Sequence, residues 1–483
     1  MARGKGRKSS MPFEEALRRA ADEAIAYRKS GGDRQPHEIE SYAQMLDRFS
    51  GALPETSEDP DEVIRDLVST TNPGLRAMAD PAFFGWVIGG SHPVGVAADW
   101  LTSAWGQNAG NHFATPAAAA AETVAGEWLV ELLDLPRGSS VGFVTGASMA
   151  NFVGLAAARG DLLRKAGWDV EADGLIGAPK LNVLIGADAH ETVFMALRYL
   201  GLGVKSAIRV ETDELGRMLP DALNKALQSI AGPAIVIAQA GQLNTGAFDP
   251  FTEVCALAKE HGAWVHVDGA FGLWARASGR YRRFADGVDL ADSWAVDGHK
   301  WLQTPYDSGF AIVADRDAHA RAMQMQASYL PSGSEAEREP SAYVPELSRR
   351  ARGFATWAII RHLGRSGIAE MIEANCDFAA ALARALDGAP GVRIVAPPMI
   401  NQLLLRFGDS DEATLETVKE IQRRGRMFAG PALWRDQWVM RISVSNYETR
   451  ADQAGGIAAE ILEAWKQGGG AAMPRSAGQL SPA

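Results

Sequence analysis

The chain has 483 residues, 47% of them hydrophobic and 22% charged, too long for one ordinary core and suited to a large domain with one or two smaller ones. A net charge of −11 leaves no basic surplus to neutralise phosphates, which excludes a nucleic-acid partner. Cys255 and Cys376 cannot build a disulfide framework and fit a reducing, cytoplasmic compartment, and no apolar run reaches the roughly 20 residues of a membrane span.

Met1 to Ser10 carries Arg3, Lys5, Arg7 and Lys8 with no apolar stretch behind them. It reads as a tail rather than a secretory signal, and Met11 is a second candidate start. Helical spacing runs from Pro12 to about Ser69, broken at Pro54 and Pro60. A loop-like aromatic stretch follows, with Phe83, Phe84 and Trp86, then helices near Val94 to Trp105 and Pro116 to Leu133. The middle third alternates β-rich and helical runs. Strands are expected at Leu181–Ile185, Ala207–Val210, Ala234–Ala238, Trp264–Asp268, Ser293–Val296 and Phe310–Val313. The expected helices are Ser148–Lys165, Glu191–Leu200, Pro220–Ser229 and Phe251–His261. This alternation predicts an α/β fold with a mostly parallel sheet, in which ligands bind at the carboxyl ends of strands. Beyond Pro345, helical runs at Leu347–Leu363 and Gly367–Leu386 precede strands at Val392–Val395, Gln402–Phe407 and Trp438–Val444. A helix at Asp411–Arg424 lies between the last two, giving a small α+β unit, and the stretch from Gly468 reads as a second tail.

Four segments could carry chemistry. Val144-Thr-Gly146-Ala147-Ser148 opens an apolar helix, where small residues and free N–H groups suit a phosphate; a simple serine cap is the alternative. His190 follows a strand and starts a helix, so its ring could stack on a cofactor or merely cap the helix. Trp264-Val-His266-Val-Asp268 is an alternating strand that ends in a carboxylate. Such a carboxylate needs a partner if buried, and a protonated pyridine nitrogen is one; a turn aspartate and a metal site with His266 are the alternatives. Asp297-Gly-His299-Lys300-Trp301 places a lysine at a strand end, where desolvation would make it an amine nucleophile toward an aldehyde; a surface lysine is the alternative.

Taken in order, these segments resemble the group II pyridoxal 5′-phosphate (PLP) decarboxylases, the family of aromatic L-amino acid, histidine and glutamate decarboxylases. The resemblance runs clearly from Asp80 to Asp315 and more faintly to Met440-Arg441-Ile-Ser-Val. It implies PLP fold type I: a seven-stranded, mostly parallel sheet in a large domain (111–345), a small α+β domain (346–467) and an N-terminal helical segment with a substrate loop (12–110). Residues 1–11 and 468–483 are tails. It implies a homodimer with shared active sites and a small-molecule L-amino acid as substrate. By position, Lys300 forms the Schiff base with PLP, Asp268 pairs with the pyridine nitrogen, and Ala270 and His190 flank the ring. Gly146, Ala147 and Ser148 hold the phosphate with His299 and Asp297. The family often has asparagine or serine in place of Asp297, which puts its phosphate contact in question, and glutamate or a similar polar residue in place of Met149, which puts the detail of that helix start in question. Tyr329 stands where the family's decarboxylases carry a proton-donating tyrosine and the related aldehyde synthases a phenylalanine. With His190 also present, the resemblance implies plain decarboxylation to amine and CO2. Phe83, Phe84, Trp86, His92 and Trp105 form an aromatic set suited to an aromatic substrate. An acidic substrate clamped by Arg441, an aldehyde synthase, and another PLP lyase or transaminase remain open.

Overall fold

The computed structural model describes residues 12–30, 39–324 and 338–468. Its centre is a seven-stranded sheet built from β1 (Ser140–Val144), β2 (Asn182–Gly186), β3 (Ile208–Val210), β4 (Ala234–Gln239), β5 (Trp264–Asp268), β6 (Ser293–Asp297) and β7 (Gly309–Val313). The spatial order is β1-β7-β6-β5-β4-β2-β3. Strands β3, β2, β4, β5 and β6 run parallel, while β7 is antiparallel to both β6 and β1. Every residue of β1, β2, β5, β6 and β7 is buried. Helices cover both faces, which is why these strands read as continuous apolar runs rather than alternating ones. The fold is the expected α/β type I arrangement.

β1 escapes a reading by β-propensity because Gly142 sits at its middle. That glycine is required: a Cβ there would lie 2.1 Å from the carbonyl oxygen of Tyr343, whose segment packs directly on the strand. Beneath it, Glu122 and Arg349, both nearly inaccessible, form a bidentate pair at 2.6 and 2.7 Å, joined by Arg338 at 3.4 Å.

One polar network pins β5 to β6 and to helix Ala147–Lys165. Ser293 Oγ accepts from Trp264 Nε1 at 2.9 Å and lies 2.8 Å from His266 Nδ1, while His266 Nε2 lies 2.8 Å from Asn151 Oδ1. Asn151 Oδ1 can only accept, so Nε2 carries the proton and Nδ1 accepts from the serine hydroxyl. Burial pushes the His266 pKa down to about 3, so the ring is neutral. Gly154 makes room for it, since a Cβ there would meet His266 Cε1 at 2.7 Å.

The second sheet holds β8 (Val392–Ala396), β9 (Gln402–Phe407), β10 (Gly430–Trp434) and β11 (Gln437–Ser443), in the order β10-β11-β9-β8 and antiparallel throughout. β10 lies at an edge and contains Pro431, which only an edge position tolerates. The two helical runs expected after Pro345 form one element, Gly353–Leu386, kinked at Gly364 with φ of 62°. Among the described residues no helix is long and apolar enough to cross a membrane.

Candidate active site

Because β4, β5 and β6 are parallel, their carboxyl ends lie together, with Gln239 in register with Asp268 and Asp297 at the end of the next strand. The helix start at Gly146–Ala147 comes to the same place, and the four converge on one cavity of about 390 Å³. Its lining includes Gly146, Ala147, Ser148, His190, Asp268, Ala270, Asp297, His299 and Lys300. All nine cofactor-contact residues expected from sequence are therefore brought to one cavity, of a size that suits a small cofactor with its substrate.

Asp268 is 5% exposed. One carboxylate oxygen accepts the Ala270 N–H at 3.2 Å, and no cation lies within ion-pair distance among the described residues. Burial pushes its pKa up, opposed by the neighbouring His190 and Lys300. His190 caps helix Glu191–Tyr199: its Nδ1 accepts the Thr192 N–H at 3.3 Å and lies 2.7 Å from the Thr192 hydroxyl. Those contacts leave the proton on Nε2, and burial lowers the pKa, keeping the ring neutral. Lys300 Nζ lies 2.9 Å from Asp297 Oδ2. His299 stacks on Tyr306 with ring centroids 4.3 Å apart, and burial holds its pKa down against the pull of Asp297.

The turn bearing Lys300 is fixed from behind. Trp301 is fully buried and donates from Nε1 to Asn375 Oδ1 at 2.8 Å. The aromatic stretch passes underneath, with the Gly89 N–H donating to His299 O at 2.9 Å and the His92 N–H to Gln303 O at 2.8 Å. A Cβ on Gly89 would sit 2.3 Å from the Lys300 carbonyl oxygen, so only glycine permits this approach.

These features fit PLP. A buried carboxylate lacking a cation suits a protonated ring nitrogen, and a small-residue helix start suits a phosphate. The cavity holds one lysine, beside both. Residues 43–406 match the model of the pyridoxal-dependent decarboxylase conserved domain. The chain belongs to this family. It is a PLP-dependent carboxy-lyase acting on an amino acid. An aromatic-L-amino-acid decarboxylase from Bacillus atrophaeus is 28% identical over 424 residues, covering 85% of this chain and 86% of that one. An acidic amino acid decarboxylase from Bos taurus is 27% identical over 345 residues, covering 70% and 64%. The solved Oryza sativa TDC, with PLP and tryptamine, superposes with a TM-score of 0.87 at 24% identity, covering 95% and 98%.

The five aromatic residues expected around the decarboxylase's substrate do not line the cavity of the single chain. Phe84 is 1% exposed and packs on Phe378 in the core of the four-stranded unit; this corrects its reading as a pocket wall. Phe83 stacks on Phe428 at 4.8 Å, pulled there by backbone bonds between the two segments. His92 caps helix Pro93–Trp105 and packs between His362 and Tyr447, where burial lowers its pKa to about 4. Trp86 and Trp105 are half exposed. Tyr329 lies outside the described residues.

The decarboxylase's cavity also has lining that sequence reasoning missed: Thr145, Thr192, Leu243, Phe271 and Tyr306. Thr192 was within reach, because a histidine at a helix start calls for a nearby donor. Tyr306 had no signal. The metal alternative at His266 fails, since both its ring nitrogens are engaged by protein groups, and the described residues contain no cluster able to hold a metal.

Proposed function

We propose that this enzyme decarboxylates an aromatic L-amino acid to its amine and CO2, as a cytoplasmic homodimer with shared active sites. The observation that carries the site assignment is the meeting of Lys300, Asp268 and the Gly146–Ser148 helix start in one cavity. Lys300 is the amine that links the cofactor. Asp268 keeps the ring nitrogen protonated by supplying the negative counter-charge to it. His190 and Ala270 flank the ring, and Gly146, Ala147, Ser148 and His299 take the phosphate. The bound cofactor supplies an electron sink for the pair released when the Cα–carboxylate bond breaks. The protein orients that bond and excludes water, and Tyr329 returns a proton to Cα.

Leu243, Phe271 and Tyr306 give the cavity an apolar and aromatic side that suits an aromatic side chain. Dimerisation is supported by Leu17, Leu46, Phe49, Trp86 and Trp105 on the N-terminal segment (12–110), each of which stays about half exposed or more among the described residues. The large and small domains are taken as 111–345 and 346–467.

A second reading has one observation in its favour. Arg441, on β11, is largely buried, bonds only weakly to Asn244 Oδ1 at 3.4 Å and has no carboxylate within ion-pair distance among the described residues. Burial lowers its pKa to about 10, and its charge reaches His190. Such a cation would clamp a side-chain carboxylate and favour an acidic substrate.

One experiment separates these. Purified enzyme is given a panel of aromatic and acidic L-amino acids with CO2 and amine both measured, beside Lys300→Ala, whose visible cofactor absorbance should be lost. Turnover of acidic substrates alone would reverse the substrate assignment. A persisting cofactor band in Lys300→Ala would remove Lys300.

A further inference from the structure

The helix start read above as a phosphate cradle already holds an anion of the chain's own. Asp297 is 3% exposed, and its Oδ1 accepts the Ala147 N–H at 2.6 Å. Its Oδ2 lies 2.9 Å from Lys300 Nζ, and His299 Nε2 is 3.5 Å from Oδ1. The carboxylate lies close against the cradle floor: a Cβ added to Gly146 would come within 3.1 Å of Oδ1. The backbone cannot retreat, because the Asp297 N–H donates to Ala270 O at 2.9 Å and its carbonyl accepts from Trp274 Nε1 at 2.9 Å.

A bound phosphate seeks the same N–H groups at the helix start. One N–H cannot serve two anions fully, and two anions packed against each other repel strongly in a buried site. An amide at this position would behave differently. It could keep the Ala147 bond through its oxygen and donate to the phosphate through its nitrogen.

We propose that Asp297 is a built-in competitor for the cofactor's phosphate, holding the Ala147 N–H in the cofactor-free protein and weakening cofactor capture. The inference rests on the cradle assignment under the proposed function. Asp297 also touches Lys300, so an effect through the lysine must be told apart from one through the phosphate. Pyridoxal makes that distinction, because it offers Lys300 the same aldehyde but has no phosphate.

The test measures binding of PLP and of pyridoxal to full-length apoprotein by tryptophan fluorescence, for wild type and Asp297→Asn. The expected result is that the variant binds PLP about tenfold or more tightly than wild type, with pyridoxal unchanged within about twofold. Unchanged or weaker PLP binding overturns the competition, and so does equal tightening of both ligands, which would assign the effect to Lys300. Wild type binding pyridoxal as well as PLP would remove the cradle itself. Should Asp297→Asn fail to fold, Asp297→Ser carries the same prediction. A holoenzyme crystal structure is a further check: Ala147 N–H still donating to Asp297, with the phosphate elsewhere, overturns the proposal.

Discussion

Replacing Asp268 by asparagine should stabilise the cofactor-free protein and cripple the loaded one. The carboxylate is 5% exposed, takes one N–H at 3.2 Å and has no cation within ion-pair distance among the described residues. A neutral isostere removes a buried charge that the apoprotein does not compensate, a gain of about 1–3 kcal/mol. The gain depends on pH with a definite sign. Burial raises the folded pKa above its ordinary 3.8. Between those two values the native state binds more protons than the unfolded state, so wild-type stability falls as pH rises through that window. Asp268→Asn lacks that loss, and its advantage should be small below the ordinary carboxylate value and grow as pH rises through the raised one. With cofactor bound the balance reverses. Removing one partner of a buried ion pair costs about 3–5 kcal/mol, or roughly 150- to 4,000-fold in retention. Urea denaturation of apo and loaded proteins at several pH values, with dialysis to measure retention, reads both effects. An apoprotein variant less stable than wild type near neutral pH, or cofactor retention unchanged, would refute the reasoning.

Three further outcomes are expected. Glu122→Gln leaves Arg349 and Arg338 buried against a neutral amide and should destabilise by about 3–5 kcal/mol in urea, while Glu122→Gln with Arg349→Met should recover much of it. His266 stays neutral in the fold down to about pH 3 but titrates near 6.5 when unfolded, so it makes stability fall as pH falls between those values. His266→Asn should therefore flatten the stability–pH slope by about 1.4 kcal/mol per pH unit in that range, measured from denaturation midpoints. In air-saturated buffer, with O2 as the oxidant and water as the source of the carbonyl oxygen, Tyr329→Phe should shift product from amine toward aldehyde, ammonia and peroxide by chromatography and peroxide assay; unchanged amine yield without peroxide removes Tyr329 from the chemistry.

What could be read from sequence follows from where side chains find their partners. β5, β9 and helix Asp411–Arg424 match their expected bounds to the residue, because apolar pattern, caps and turns agree there. β1 and β10 were not expected: Gly142 and Pro431 depress local β-propensity, and their reasons lie in a distant carbonyl and an edge position. The meeting of His190, Asp268 and Lys300 in one cavity was legible because parallel strands send their carboxyl ends to one place, so these residues needed only the right element type to converge. The aromatic stretch was not. Phe83, Phe84 and Trp86 follow no helical or strand period, and the bonds that pull Phe84 into the core come from Phe428 and Ser443. Nothing near Phe84 in sequence announces them.

That same docking decides how rigidly the Lys300 amine is held. Behind Lys300, Trp301 donates to Asn375, whose amide donates to Asn446 O at 2.8 Å. Gln303 Nε2 donates to Ser445 O at 2.5 Å, and Ser445 Oγ donates to Ile88 O at 2.6 Å. Gly89 closes the circuit onto His299 O. The links come from the aromatic stretch, the long kinked helix and the segment after β11, so no single element fixes the turn. Each donor is buried, and losing one strands its partner at a cost of about 1–3 kcal/mol. The lysine turn is therefore only as ordered as the contact between the two sheets. A ligand that binds only the ordered turn must stabilise that contact through mass action. Cofactor loading should therefore strengthen the docking of the four-stranded unit, although none of that unit's strands lines the cavity.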